Sequence, residues 1–201
     1  PPSDVAPENY LVEESQLAAY TIRYYTDNFP SLNSLYGDDE MATDNATTRN
    51  SSNRYLIGEW KTPASGGEWN FNNIYTLNYF IQSTEKNLET GSIKGNSTNI
   101  KHYIGEGYFL RAYQYFYRLR KLGDFPIIKE VLPDNKEALV EASKRQPRNE
   151  VARFILQDLD KAIEYLTNNP DGGKARITKN AALVLKARVA LFEAKWEKYH
   201  A

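Results

Sequence analysis

A run of amphipathic helical patterns between Tyr103 and Trp196 restricts this chain to a mostly helical fold. The sharpest begins at Thr178, a good N-cap after the Gly172-Gly173 turn. It sets Ala182, Leu185, Val189, Phe192 and Trp196 at spacings of three, four, three and four, which is one stripe of one helix face. The pattern before it, from about Arg148 to Leu166, aligns Val151, Ile155, Leu159, Ala162, Ile163 and Leu166 in the same way. Two helices joined by a short glycine-containing turn form a hairpin. The small residues Ala181, Ala182, Ala187, Ala190 and Ala194 allow a close approach. Stacked hairpins of this kind are tetratricopeptide-like, although the full ~34-residue consensus is not met.

Three further helices are predicted. One covers about Glu13 to Thr26, after an extended Tyr10-Leu11-Val12, and one about Phe71 to Glu89, with Ile74, Leu77, Ile81 and Leu88 on a stripe and Gly91 past its end. The longest runs from about Lys101 to Leu122. There Ile104, Phe109, Leu110, Tyr113, Phe116, Tyr117 and Leu119 leave little of its surface polar, so it should be buried on more than one side. Gly123 sits where a left-handed cap belongs, Asp124-Phe125-Pro126 cannot continue the helix, and Ile127-Ile128-Lys129 looks extended.

Between residues 31 and 70 the periodicity is lost in polar and glycine-containing stretches. A loop of roughly 40 residues in a compact domain is usually functional or disordered. Tyr36, Tyr55, Trp60, Trp69 and Phe71 argue against disorder, because disordered segments are poor in aromatics. The fold class read here is therefore mostly α: tetratricopeptide-like helical hairpins over 71–201 with a long irregular loop region over 31–70, in a single domain of 201 residues.

The chain has 25 Lys plus Arg, 26 Asp plus Glu and a formal net charge of -1, so no global field favours nucleic acid or an anionic membrane. It has no cysteine, which excludes thiolate metal sites, cysteine nucleophiles and redox motifs within this sequence. No apolar run is long enough to span a bilayer. His102 and His200 are the only histidines and lack neighbouring ligands, so no zinc motif or histidine triad is expected and surface roles are assigned to both. Gly105 and Gly107 lie inside a helical pattern, where close helix packing explains them better than phosphate cradling. Of Arg111, Arg118, Arg120 and Lys121, three fall on different faces, which suits ion pairs with Glu106 or neighbouring helices.

The segment Gly105-Glu106-Gly107-Tyr108-Phe109-Leu110-Arg111-Ala112-Tyr113-Gln114-Tyr115-Phe116, closing on Leu122-Gly123-Asp124-Phe125-Pro126, closely resembles the signature helix of the SusD/RagB family of surface nutrient-binding lipoproteins. Around it, Tyr75 through Asn87, Pro147-Arg148-Asn149-Glu150-Val151 and Ile177-Thr178-Lys179-Asn180-Ala181-Ala182 follow the family's order. Family members are much longer, so the resemblance implies the N-terminal portion of such a protein, incomplete at its C-terminus. It also implies a non-catalytic role at the external face of the outer membrane: capture of an oligosaccharide, or of peptide or glycoprotein fragments, for a partner SusC-like TonB-dependent transporter. Membrane attachment would come only through a lipid anchor that this sequence does not contain. No cofactor, metal or nucleic acid is implied.

A sugar site needs flat aromatic faces for the pyranose C–H surface and amide, guanidinium or carboxylate groups for the hydroxyls. The region from Tyr36 to Asn73 supplies both. Trp69 with Asn72 resembles the position where starch-binding family members place a stacking Trp and an amide partner, and Arg49 and Arg54 lie about where a hydrogen-bonding Arg would come from. The competing reading has Trp69 stapling the start of the next helix and Trp60 plugging the loop into the core. Asp38, Asp39, Glu40 and Asp44 could ligate calcium, but their spacing matches no EF-hand and a solvated acidic loop is the simpler account. A glycosidase pair would need two carboxyls ~5–9 Å apart, which sequence does not place.

Overall fold

The computed structural model describes residues 10–29 and 69–200. Tyr36, Arg49, Arg54, Trp60 and the acidic stretch at 38–44 lie outside the described residues. The chain divides into two compact units, one made of 1–22 with 70–201 and the other of Arg23–Trp69. Among the described residues there are six α-helices: α1 (Glu14–Asn28), α2 (Asn72–Glu89), α3 (Ser97–Leu122), α4 (Lys136–Ala142), α5 (Arg148–Tyr165) and α6 (Lys179–His200). No strand is present among these residues. The expected extended pieces survive only as isolated bridges, Glu13 to Lys94 and Phe125 to Gln146.

Helix α3 is the hub. It starts a turn earlier than its apolar pattern, because the Asn96 side chain accepts from the N–H groups of Thr98 and Asn99 at 2.9 and 3.2 Å. It stops at Gly123, whose N–H still reaches the Leu119 carbonyl at 3.1 Å. Gly123 has φ 73 and ψ -108, a positive φ that suits glycine but not the left-handed helical conformation expected there.

Both glycines of α3 are contact points. A methyl group at Gly105 would come within 3.0 to 3.2 Å of Tyr165 and Leu166, and one at Gly107 would meet the Phe80 ring at 2.7 Å. Helix α3 is thereby clamped between α5 on one side and α2 on the other, which is why so few of its residues reach solvent. Helix α6 packs in turn on α5 through Ala182, Leu185 and Val189. At the far end of that hairpin Arg148 pairs with Glu193 (Nη2 to Oε2 2.8 Å) and lies 3.9 Å above the Trp196 ring. On the other flank Tyr20 of α1 stacks on Phe80 at 4.8 Å and donates to the Thr76 carbonyl at 2.8 Å.

Helix α4 was not anticipated. It buries nothing and forms around one local bond, from the Ala138 N–H to the Asn135 side chain at 2.8 Å.

Candidate functional site

Two buried polar networks fix the frame in which exposed side chains are presented. In the first, Arg111 of α3 makes a bidentate pair with Asp158 of α5, Nε to Oδ2 and Nη2 to Oδ1 both at 2.7 Å. Its Nη1 donates to the Asn78 side chain at 2.9 Å and to the Lys129 carbonyl at 3.1 Å. Asn78 donates onward to the carbonyls of Ile128 and Glu130. The Tyr115 hydroxyl donates to the Ile128 carbonyl at 3.1 Å and accepts from the Ile128 N–H at 2.9 Å. The strap after Phe125 is thus tied down without a sheet. Burial pushes the Tyr115 phenol up to about 12.

The second network corrects the reading of His102, which is 1% exposed and not at the surface. Its Nδ1 accepts from the Thr167 N–H at 3.2 Å, and its Nε2 lies 3.3 Å from Glu106 Oε1. The other oxygen of Glu106 accepts from Thr21 at 2.6 Å and from Arg176 Nη1 at 2.9 Å. On a helix covered on most sides, a polar residue is hidden wherever a distant loop folds over it. Of the ion pairs expected of the α3 cations, Arg111 makes one with α5, whereas Glu106 is paired by Arg176, which was not expected.

The start of α2 is held from below. Arg118 donates to the Asn70 carbonyl, Phe71 stacks on Phe125 at 5.0 Å, and the Asn70 side chain accepts from the Asn72 N–H at 2.9 Å. With the backbone pinned, the carboxamide of Asn72 is exposed and has no hydrogen bond among the described residues. Tyr75, 53% exposed, and the half-buried Tyr79 lie three and seven residues on, followed by the exposed Gln82. At 100° per residue the four share about 80° of the helix surface. This face combines two amides with two phenols, groups that can hydrogen-bond a polyhydroxylated ligand.

Trp69 ends the other unit and is 43% exposed. Of the five residues singled out from sequence, Asn72 and Trp69 are therefore solvent-facing, while Arg49, Arg54 and Tyr36 fall outside the described residues. Tyr75, exposed on the same face, was not singled out from sequence. The signal was available: Tyr75 and Tyr79 are the α2 tyrosines that fall off the Ile74, Leu77, Ile81 stripe. Among the described residues no group of three His, Cys, Asp or Glu side chains is placed to hold a metal ion. None of the described helices is long and apolar enough to cross a membrane.

Residues 2–191 match the family model for SusD-like proteins, described as starch-binding and associating with the outer membrane. A curated relative, SusD-like protein P2 of Formosa agariphila, is 30% identical over 108 residues, which is 54% of this chain and 21% of the relative. Among solved structures, a SusD-like protein from Bacteroides fragilis aligns with a TM-score of 0.65 at 24% identity, covering 96% of this chain and 37% of that one. A SusD-like carbohydrate binding protein from Bacteroides vulgatus aligns at 0.61 and 18% identity, covering 92% and 43%. The fold is thus shared with proteins of which this chain spans less than half.

Proposed function

The chain belongs to the SusD-like family, and from that premise we propose that it is a non-catalytic protein that captures oligosaccharides at the cell surface for import through a partner TonB-dependent outer-membrane transporter. The observation that carries this reading is the family match over residues 2–191. Three structural features agree with it. The α2 face of Asn72, Tyr75 and Tyr79 offers amide and phenol groups to sugar hydroxyls, and Tyr rings accept pyranose C–H surfaces. Trp69, 43% exposed, carries a flat aromatic face of the kind that stacks on a sugar ring. The buried carboxylates among the described residues, Glu106, Asp158 and Glu193, each hold an arginine and are committed to structure, not to proton transfer.

In this reading Arg49, Arg54 and Tyr36 supply further hydrogen bonds to the ligand, the helical hairpins form the scaffold facing the transporter, and a lipid anchor keeps the protein on the external face of the outer membrane. Titration calorimetry of the chain with a panel of oligosaccharides, maltooligosaccharides among them, tests it. Micromolar to millimolar binding to at least one glycan is expected, weakened at least tenfold by Trp69→Ala and by Asn72→Ala. Binding to no glycan would overturn the reading, and unchanged affinity in both variants would remove this face from the site.

A second reading, a helical scaffold whose ligand is protein or peptide, is favoured by α6, where Val184 and Leu191 are 69% and 62% exposed on an alanine-rich face. The same titration run with peptides and with the partner transporter separates the two.

A further inference from the structure

A cleft of about 430 Å³ opens where the N-terminus of α1 meets the segment before α3 and the turn before α6, lined by Glu13, Glu14, Lys94, Gly95, Tyr103 and Asp171 among others. It is an open groove rather than an enclosed pocket. The cleft is not formed by the α2 face discussed above.

Its walls are fixed. The chain segments pair through the Glu14 N–H to the Lys94 carbonyl at 2.9 Å and the Lys94 N–H to the Val12 carbonyl at 2.8 Å. Gly95 has φ +135, and a methyl group there would meet Glu14 at 2.5 Å. Only the missing side chain lets Glu14 reach over to accept from the Asn96 N–H at 2.7 Å and from the Asn99 amide at 2.8 Å. Both oxygens of Glu14 are thereby used. Tyr103 is 4% exposed, and the Arg176 guanidinium, itself locked to Glu106, lies 4.8 Å from its ring centroid. The ring is therefore positioned, yet its hydroxyl lines the cleft with no hydrogen-bond partner among the described residues. Tyr103 lines the cleft, so whatever fills it, water included, can bond this hydroxyl. Asp171, on the turn that Gly172 closes with φ 91, also makes no hydrogen bond or ion pair among the described residues. It stands near enough to Tyr103 for its charge, after burial, to raise the phenol pKa against the opposing pull of Arg176.

What could use these groups is narrowed by charge. Three carboxylates repel an anion. A metal ion finds no three-ligand set here, since Glu14 is saturated and Glu13 lies 3.7 Å from Lys94. An organic cation would meet the Lys94 ammonium and would leave the donor capacity of Tyr103 unused. A neutral ligand with several hydroxyls can donate to Asp171 and both donate to and accept from Tyr103. We propose that this cleft is a separate binding site for a neutral polyhydroxylated ligand, gripped through adjacent hydroxyls by the Tyr103 hydroxyl and the Asp171 carboxylate.

The test is a titration of the isotope-labelled chain with methyl α-D-glucopyranoside, followed by amide NMR shifts, with methylammonium chloride as the contrasting probe. Saturable shifts at Lys94, Gly95, Asn96 and Asp171 are expected with the glucoside. Tyr103→Phe keeps the ring and its contact with Arg176, and should weaken binding about tenfold, the equivalent of one hydrogen bond. Asp171→Asn, in an exposed turn, should weaken it comparably. Trp69→Ala should leave these shifts unchanged, so the outcome is read independently of the glycan site proposed above. The inference is overturned if the glucoside gives no saturable shift at these amides, if Tyr103→Phe binds as well as the parent, or if methylammonium saturates the cleft and the glucoside does not.

Discussion

Replacing Asp158 by alanine tests the reading of Arg111 as the pin of the whole scaffold. Arg111 and Asp158 are each 4% exposed. The Asp158 carboxylate takes two of the guanidinium contacts, at 2.7 Å each. Burial works against the charge on Arg111, and Asp158 more than offsets it, so the guanidinium pKa rises. In Asp158→Ala the charge stays in place with only the Asn78 side chain and the Lys129 carbonyl as acceptors. An uncompensated buried charge costs about 3–5 kcal/mol. For a chain of this length, at about 2–4 °C per kcal/mol, the melting temperature should fall by roughly 6–20 °C. Urea unfolding followed by circular dichroism gives the free energy, and thermal melts check it. The double variant Arg111→Met with Asp158→Leu removes both charges, and apolar replacement of a buried pair is often close to neutral. It should be more stable than Asp158→Ala. Asp158→Ala within about 1 kcal/mol of the parent would refute the account. A double variant that loses the sum of the two singles would refute it as well, because the cost would then not come from the stranded charge.

Gly107→Ala should destabilise by up to about 2 kcal/mol: a helical glycine replaced by alanine gains roughly 1 kcal/mol, but the new methyl meets the fully buried Phe80 ring at 2.7 Å, and overpacking costs about 1–3 kcal/mol. A more stable variant in thermal melts would mean that α2 yields. Alkaline stability should fall from about pH 10 upward, because the unfolded tyrosine loses its proton near pH 10 whereas burial holds Tyr115 at about 12 in the native state. The native state then binds the extra proton, so the stabilisation is complete below pH 10 and is lost at up to about 1.4 kcal/mol per pH unit through Tyr115 alone. Burial and the Glu85 carboxylate push Tyr108 the same way. A urea midpoint that stays flat from about pH 9 to 12 would refute this, and Tyr115→Phe should flatten the slope.

The helices were legible because their cause is local. The stripes of α2, α5 and α6 and the glycine stops place their ends within a few residues, and the overlarge apolar arc of α3 correctly implies burial on several sides. Helix α4 escaped notice because it has no buried face, only the Asn135 cap. The networks were not legible because their partners are remote in sequence: Arg111 and Asp158 are 47 residues apart, and Glu106 and Arg176 are 70 apart. A sequence shows that α3 carries charges in a buried arc, which demands partners, but not which loop brings them. His102 was misassigned for the same reason. At the candidate site, residue type and position single out Trp69 and Asn72, both of which are exposed, while a stripe reading gives no weight to Tyr75 because it treats whatever lies off the stripe as surface.

The segment that identifies the family and the face that would touch a ligand have separate physical tasks. Gly105 and Gly107 set helix distances, Arg111 and Tyr115 tie the strap after Phe125, and Arg118 holds the Asn70 carbonyl just ahead of α2. All of these are buried, so altering them costs the fold. Asn72 and Tyr75 are exposed, and the backbone beneath them is pinned by groups other than their own side chains. Their replacement should leave stability within about 0.5 kcal/mol of the parent, as surface substitutions generally do. Asn72→Ala combined with Tyr75→Ala should therefore lose glycan affinity at an unchanged melting temperature. If affinity and melting temperature fall together, the face is part of the core's support and the ligand is held elsewhere. Since the scaffold does not depend on these side chains, it can carry other residues at the same positions, and so other ligand preferences, without refolding.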